Sequence, residues 1–181
     1  LPVADGVVPG AVDLSATGGT QATATVTVNS TEATAGKSIA GDIQAPSDTD
    51  IASVSIVVGG AGLDDANDTL TLDSGTDRAL NADFSGDNLT VGGISGVDFS
   101  YVAASNTLTL TADAGGALTA ADIDNIVAGI LFKTSSTTQG DRTFTVSYTD
   151  IAGNTGTTAA STMTVDTVAP GAVDLSATGG T

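Results

Sequence analysis

The sequence predicts an all-β protein: an antiparallel Greek-key β-sandwich with one short helix. Three observations carry this. Short segments alternate apolar and polar residues with period two, Gly, Asn, Asp and Ser separate them, and one stretch instead shows helical spacing.

The strand segments follow in chain order. They are Ala22–Asn29, Ala52–Val58, Asp68–Leu72, Asn88–Val91, Phe99–Ala103, Asn106–Thr111, Gly129–Lys133, Arg142–Thr149 and Thr158–Val165. In Arg142–Thr149, Phe144, Val146 and Tyr148 share one face, and Thr143, Thr145, Ser147 and Thr149 the other. That is the signature of a half-buried antiparallel strand. Thr119–Ile130 breaks the pattern. Thr119 is a suitable N-cap with Asp122 three residues on, and Ile123, Ile126, Val127 and Ile130 fall at helical spacing. A short helix ending near Gly129 is expected. Leu72–Leu89, rich in Asp, Gly and Asn, reads as a long surface loop.

Composition narrows the function. Hydrophobic residues make up 40% of the 181-residue chain, enough for a buried core. The 21 acidic residues face only Lys37, Arg78, Lys133 and Arg142, for a net charge of -17. Such a surface repels nucleic acid and anionic membranes. Glu32 is the only Glu. Asp beside Gly, Asn and Ser suits turns and Ca²⁺ sites, because its short side chain holds the oxygens near the backbone. Acidity for solubility in salty water is the plainer alternative. The absence of Cys and His excludes disulfides, thiolate zinc sites and His-based triads. No segment reads as a signal peptide or a transmembrane span.

The chain also repeats itself. Residues 7–20 (VVPGAVDLSATGGT) and 168–181 (VAPGAVDLSATGGT) differ only at Val8 and Ala169. The offset from Gly10 to Gly171 is 161 residues, and Asp5 corresponds to Asp166. A period this long suits an array of whole domains rather than a solenoid. The expected organisation is a linker over residues 1–9, one sandwich over 10–166, and a linker leading into the next repeat over 167–181. Division of the sandwich into two smaller units near residues 73–83 is the alternative. Both ends fall mid-pattern, as in a piece of a longer chain.

Residues 94–170 carry a resemblance. A short helix and a strand lead to Gly140-Asp141-Arg142. A long alternating strand ends at Asp150, followed by the turn Ala152-Gly153-Asn154, a last strand, and Asp166-Thr167-Val168-Ala169-Pro170. This order resembles the cadherin-like and immunoglobulin-like repeats of giant bacterial surface proteins, including the extender regions of repeats-in-toxin adhesins. Ala45–Val58 and Asp64–Leu70 are similar to the N-terminal part of such repeats more loosely. The resemblance implies a secreted, tandemly repeated spacer on the bacterial surface, with Ca²⁺ at the junctions and neighbouring copies of the repeat as partners. Many such repeats are nearer one hundred residues, so residues 20–90 hold an elaboration.

Within that expectation the junction ligands would be Glu32, Asp48, Asp50, Asp150 and Asn154 with linker Asp5, and Asp166 would serve the next junction. Asp48 and Asp50 could equally form an Asx-turn, and Asp150 and Asn154 hairpin-turn chemistry. Asp64–Asp68 has ligand-rich composition but lacks the terminal Glu of an EF-hand loop. Asp141 and Arg142 suggest an internal ion pair or loop clamp. Asp64 and Asp65 would point to opposite faces of a strand and do not suggest a glycosidase. Threonine alternation suits the wet face of a sheet better than an ice-binding surface. The expected role is therefore non-catalytic. The competing reading is a glycan-, peptidoglycan- or protein-binding module using Leu72–Leu89.

Overall fold

The computed structural model describes residues 23–40, 50–73, 75–156 and 159–166. In chain order these form β1 (Thr23–Asn29), α1 (Ser30–Ala35), β2 (Lys37–Ser38), β3 (Ile51–Gly59), β4 (Asp68–Thr71), β5 (Asp77–Ala79) and β6 (Phe84–Val91). Then come β7 (Ile94–Val102), β8 (Thr107–Ala112), α2 (Ala120–Gly129), β9 (Leu131–Thr134), β10 (Gly140–Asp150) and β11 (Ala159–Asp166). A seven-stranded sheet runs β1-β11-β10-β3-β8-β7-β6, and a four-stranded sheet runs β2-β9-β4-β5. The expected linkers, residues 1–9 and 167–181, lie outside the described residues.

Alternation decides which face of each strand is buried. On β10, Phe144, Val146 and Tyr148 point into the core, while Thr143, Thr145, Ser147 and Thr149 are half-exposed. Thr107, Thr109, Ser53 and Ser55 extend the same hydroxyl-rich face across β8 and β3. The two sheets face one another: Phe132 of β9 meets Phe144 of β10 edge-to-face, with ring centroids 5.5 Å apart. Buried side chains from Val28 to Val165 form one cluster. Each fully buried Val, Leu, Ile or Phe side chain there contributes about 1.5–3 kcal/mol.

The helix expected over Thr119–Ile130 is α2. Thr119 caps it, the Asp122 carboxylate accepts from the Thr119 N–H at 3.0 Å, and Ile123, Ile126 and Val127 are buried. A second helix, α1, was not expected. It follows β1 without a break because Asn29 and Glu32 form a capping box that satisfies the first turn's N–H groups. The Leu72–Leu89 segment is more ordered than a loop. β5 pairs with β4, and β6 begins at Phe84, where its ring stacks on Tyr101 at 4.7 Å. Gly92, at φ +58°, lies so close to α2 that a Cβ there would collide with the Asn125 carbonyl.

Arg142 is fully buried, and its partner is Asp68 of β4 rather than its neighbour Asp141. The reason is strand alternation. Arg142 points inward and donates from Nε to Asp68 at 3.2 Å, while Asp141 points outward and accepts from Thr164 at 2.6 Å. Arg142 also donates to the Thr138 and Gly140 carbonyls, so one guanidinium ties the β9–β10 connection to the other sheet.

The pairing of β1 with β11 sets the direction of the described chain. It is parallel and in register from Thr23 opposite Ala160 to Asn29 opposite Asp166. The described chain therefore begins at one end of the sheet, the N-terminal pole, and β11 ends at the other, the C-terminal pole. At roughly 3.3 Å per residue the two ends are about 20 Å apart along the strands.

Candidate functional site

The N-terminal pole gathers three of the expected residues, Asp50, Asp150 and Asn154. Ile51 pairs with Asp150 as β3 and β10 meet, and the Ile151 N–H donates to the Asp50 carbonyl at 3.0 Å. Asp150 is buried, and its carboxylate does turn work. It accepts from the Ala152 and Asn154 N–H groups at 2.9 and 2.8 Å, and from the Asn154 side-chain amide at 2.8 Å. Burial pushes the Asp150 pKa up, but these hydrogen bonds from Asn154, Ala152 and Gly153 outweigh it and leave it lowered. Three of about four acceptor directions are thus taken. The carboxylate favours locking the turn over capturing a cation.

Glu32 and Asp166 sit at the other pole. Asp166 stands opposite Asn29, and Glu32 follows three residues later on α1. Glu32 accepts the Asn29 N–H at 3.2 Å and lies 4.0 Å from the Lys37 ammonium. Among the described residues, Glu32 and Asp150 do not share a cluster. Because β1 runs parallel to β11, the chain carries Glu32 the length of the sheet away from the Asp150 turn. Asp5 and Asp48 lie outside the described residues.

A different acidic group does converge. Asp87 of β6, Asp98 of β7 and Asp113, just after β8, each place a carboxylate oxygen within 4.8 Å of the others. Asp98 is anchored: it accepts the Asn88 N–H at 2.7 Å. Asn88 sits at φ +50° in the irregular stretch where the β6–β7 register shifts. The Asp98 charge raises the Asp87 pKa, as expected of like charges held together. Three carboxylates offer up to six oxygens to a hard divalent cation such as Ca²⁺, which takes six to eight. No contiguous motif marks this group in the sequence. Its members come from three separate elements and meet only through the β6–β7–β8 register.

The cluster belongs to the N-terminal pole. Asp98 pairs with Thr111, Thr111 with Ser53, and Ser53 with Thr149, one residue before Asp150. A groove of about 410 Å³, lined by Ala52, Asp98, Thr111, Ala112, Gly116 and Ile151, joins the cluster to the Asp150 turn. Ile151 is 60% exposed, the most exposed large apolar side chain among the described residues.

No family model matches this chain, and neither the curated proteins nor the solved structures provide a match.

The remaining motifs are structural. In Asp64–Asp68, Asp64 accepts from Asn67 at 3.0 Å and from Ser136 at 2.6 Å, and the Asp68 carboxylate accepts the Asp64 N–H at 2.9 Å. Asp64 and Asp65 lie in a turn, not on a strand. Tyr101 and Tyr148 are both buried, so neither ring is presented to a ligand. A cleft of about 550 Å³ does lie along Leu72, Asp73, Asn88, Leu89, Thr90 and Gly93, without an aromatic wall. Among the described residues no helix is long and apolar enough to cross a membrane.

Proposed function

We propose that this chain is a structural extender repeat of a large bacterial surface adhesin. In this reading it is an immunoglobulin-like or cadherin-like Greek-key sandwich, secreted, and strung between neighbouring copies of itself. One observation carries the proposal: the described chain begins at one pole of the sheet and ends at the other. A domain built this way adds its own length to a string, whereas one with adjacent ends would add little. The 161-residue offset between the near-identical segments supports the same reading.

The junction chemistry follows from the two poles. The C-terminal pole of one repeat presents Asp166 and Glu32. The N-terminal pole of the next presents the Asp87, Asp98 and Asp113 group, the Asp50–Asp150 turn and exposed Ile151. Like charges oppose approach across this joint. Ca²⁺ held by Asp87, Asp98 and Asp113 would neutralise the acidic face, and Ile151 would supply apolar contact. The test is thermal melting of a single repeat and of a two-repeat chain, with Ca²⁺ and with EDTA. Both should melt higher with Ca²⁺, the two-repeat chain by more. Identical curves would count against Ca²⁺ as the stiffening agent.

The second reading, a glycan- or protein-binding module, is favoured by the cleft along Leu72–Gly93. The lack of an exposed aromatic ring there weakens it for sugars.

A further inference from the structure

The ends of β1 and β11 have a mechanical consequence. Tension on the described chain enters at Thr23 and leaves at Asp166. These residues lie at opposite ends of two strands that are parallel, adjacent and paired over seven residues. The pulling direction then runs along the strands. Every hydrogen bond between β1 and β11 is loaded sideways at once, and none can open before the others. Were the strands antiparallel, both handles would sit at one end and the bonds would open singly, like a zip.

We propose that the β1–β11 pair is a shear clamp that holds the domain folded under tension. The clamp has a firm backing. β11 pairs on its other side with β10 from Gly140 to Val146, and Ala159, Ser161, Met163 and Val165 are buried beneath it. At its far end, β1 is held by buried Val28 and, past it, by the Asn29–Glu32 capping box and buried Ala33. Forced unfolding is governed by the barrier, not by the equilibrium stability. Resistance should therefore depend on where the handles are, even though the protein is the same. The inference rests on strand direction alone. It does not need the metal or the surface location, and its failure would leave the proposal of a Ca²⁺-stiffened joint standing.

The test is single-molecule pulling of the full chain through engineered thiols, since the chain has no Cys of its own. One version carries T23C and D166C; the other carries S30C and D166C, whose handles lie side by side at the C-terminal pole. The first should unfold at a several-fold higher force, in one step releasing about 45–50 nm of extended chain. Equal forces in the two geometries would overturn the clamp. A second pair of variants keeps the test independent of the handles. Alternate residues of a parallel strand turn their N–H groups to opposite sides. Of Thr25→Pro and Val26→Pro, one therefore removes a bond to β11 and the other removes a group at the sheet edge. Only one of the two should lower the force between residues 23 and 166. An unchanged force in both would again overturn the proposal.

Discussion

Asn29 stands opposite Asp166 in a parallel pair of strands, so the point where β1 turns into α1 is also the level at which β11 ends. That relationship puts Glu32 and Asp166 at one pole. The Asp50–Asp150 turn and the Asp87, Asp98 and Asp113 group are left at the other.

The acidic group gives a metal prediction. Asp98→Asn removes the charge that most raises the Asp87 pKa. In EDTA the variant should melt slightly higher than the parent, because repulsion is relieved. With Ca²⁺ at a hundred times its dissociation constant, a single-site parent gains about 2.7 kcal/mol, which the variant should lose. Calorimetry with and without Ca²⁺ checks both halves.

The Ile151 prediction concerns the joint alone. At 60% exposure, Ile151→Ser should leave the unfolding midpoint of a single repeat nearly unchanged. In a two-repeat chain it should broaden the distribution of distances between labels on the two repeats. A single-repeat loss as large as that of a core mutation would contradict this.

The buried ion pair predicts an asymmetry. Arg142→Ala leaves Asp68 buried without its partner and should cost about 3–5 kcal/mol. Replacing both residues with apolar ones of similar volume should cost far less. Urea unfolding of the single and double variants measures the difference.

Two tyrosines set the alkaline limit. Burial pushes Tyr101 up to about 12 and Tyr148 higher still. A raised tyrosine pKa favours the neutral form in the folded protein. This contribution is full below the unfolded value near 10, and as pH climbs from there through the folded values stability falls. Among the described residues the Tyr148 hydroxyl has no hydrogen-bond partner. Tyr148→Phe should therefore be neutral or stabilising by about 1 kcal/mol at pH 7, and should soften the alkaline loss. Asp64, Asp77 and Asp150 work in the opposite direction. Their lowered pKa values stabilise the fold above about pH 4, and that stabilisation is lost as pH falls through the folded values.

Local chemistry was legible in the sequence wherever it depends on neighbours along the chain. Thr119 with Asp122 marks α2, and the alternation of Arg142–Thr149 marks β10 with its buried face. The same logic would have found α1. Asn29 with Glu32 is also a capping signature, and it marks α1 rather than a metal ligand. What could not be read was pairing between distant strands. The parallel register of β1 with β11 decides which acids share a pole. The β6–β7–β8 register brings Asp87, Asp98 and Asp113 together from positions with no common motif. Arg142 found Asp68 for the same reason: its adjacent carboxylate lies on the wrong face of the strand.

Small-angle scattering of a two-repeat chain, compared with a single repeat, tests the central claim most directly. Opposite poles predict a maximum dimension close to twice that of one repeat in Ca²⁺, with a shorter, broader distribution in EDTA. A two-repeat particle hardly longer than one repeat, and unchanged by chelation, would contradict it.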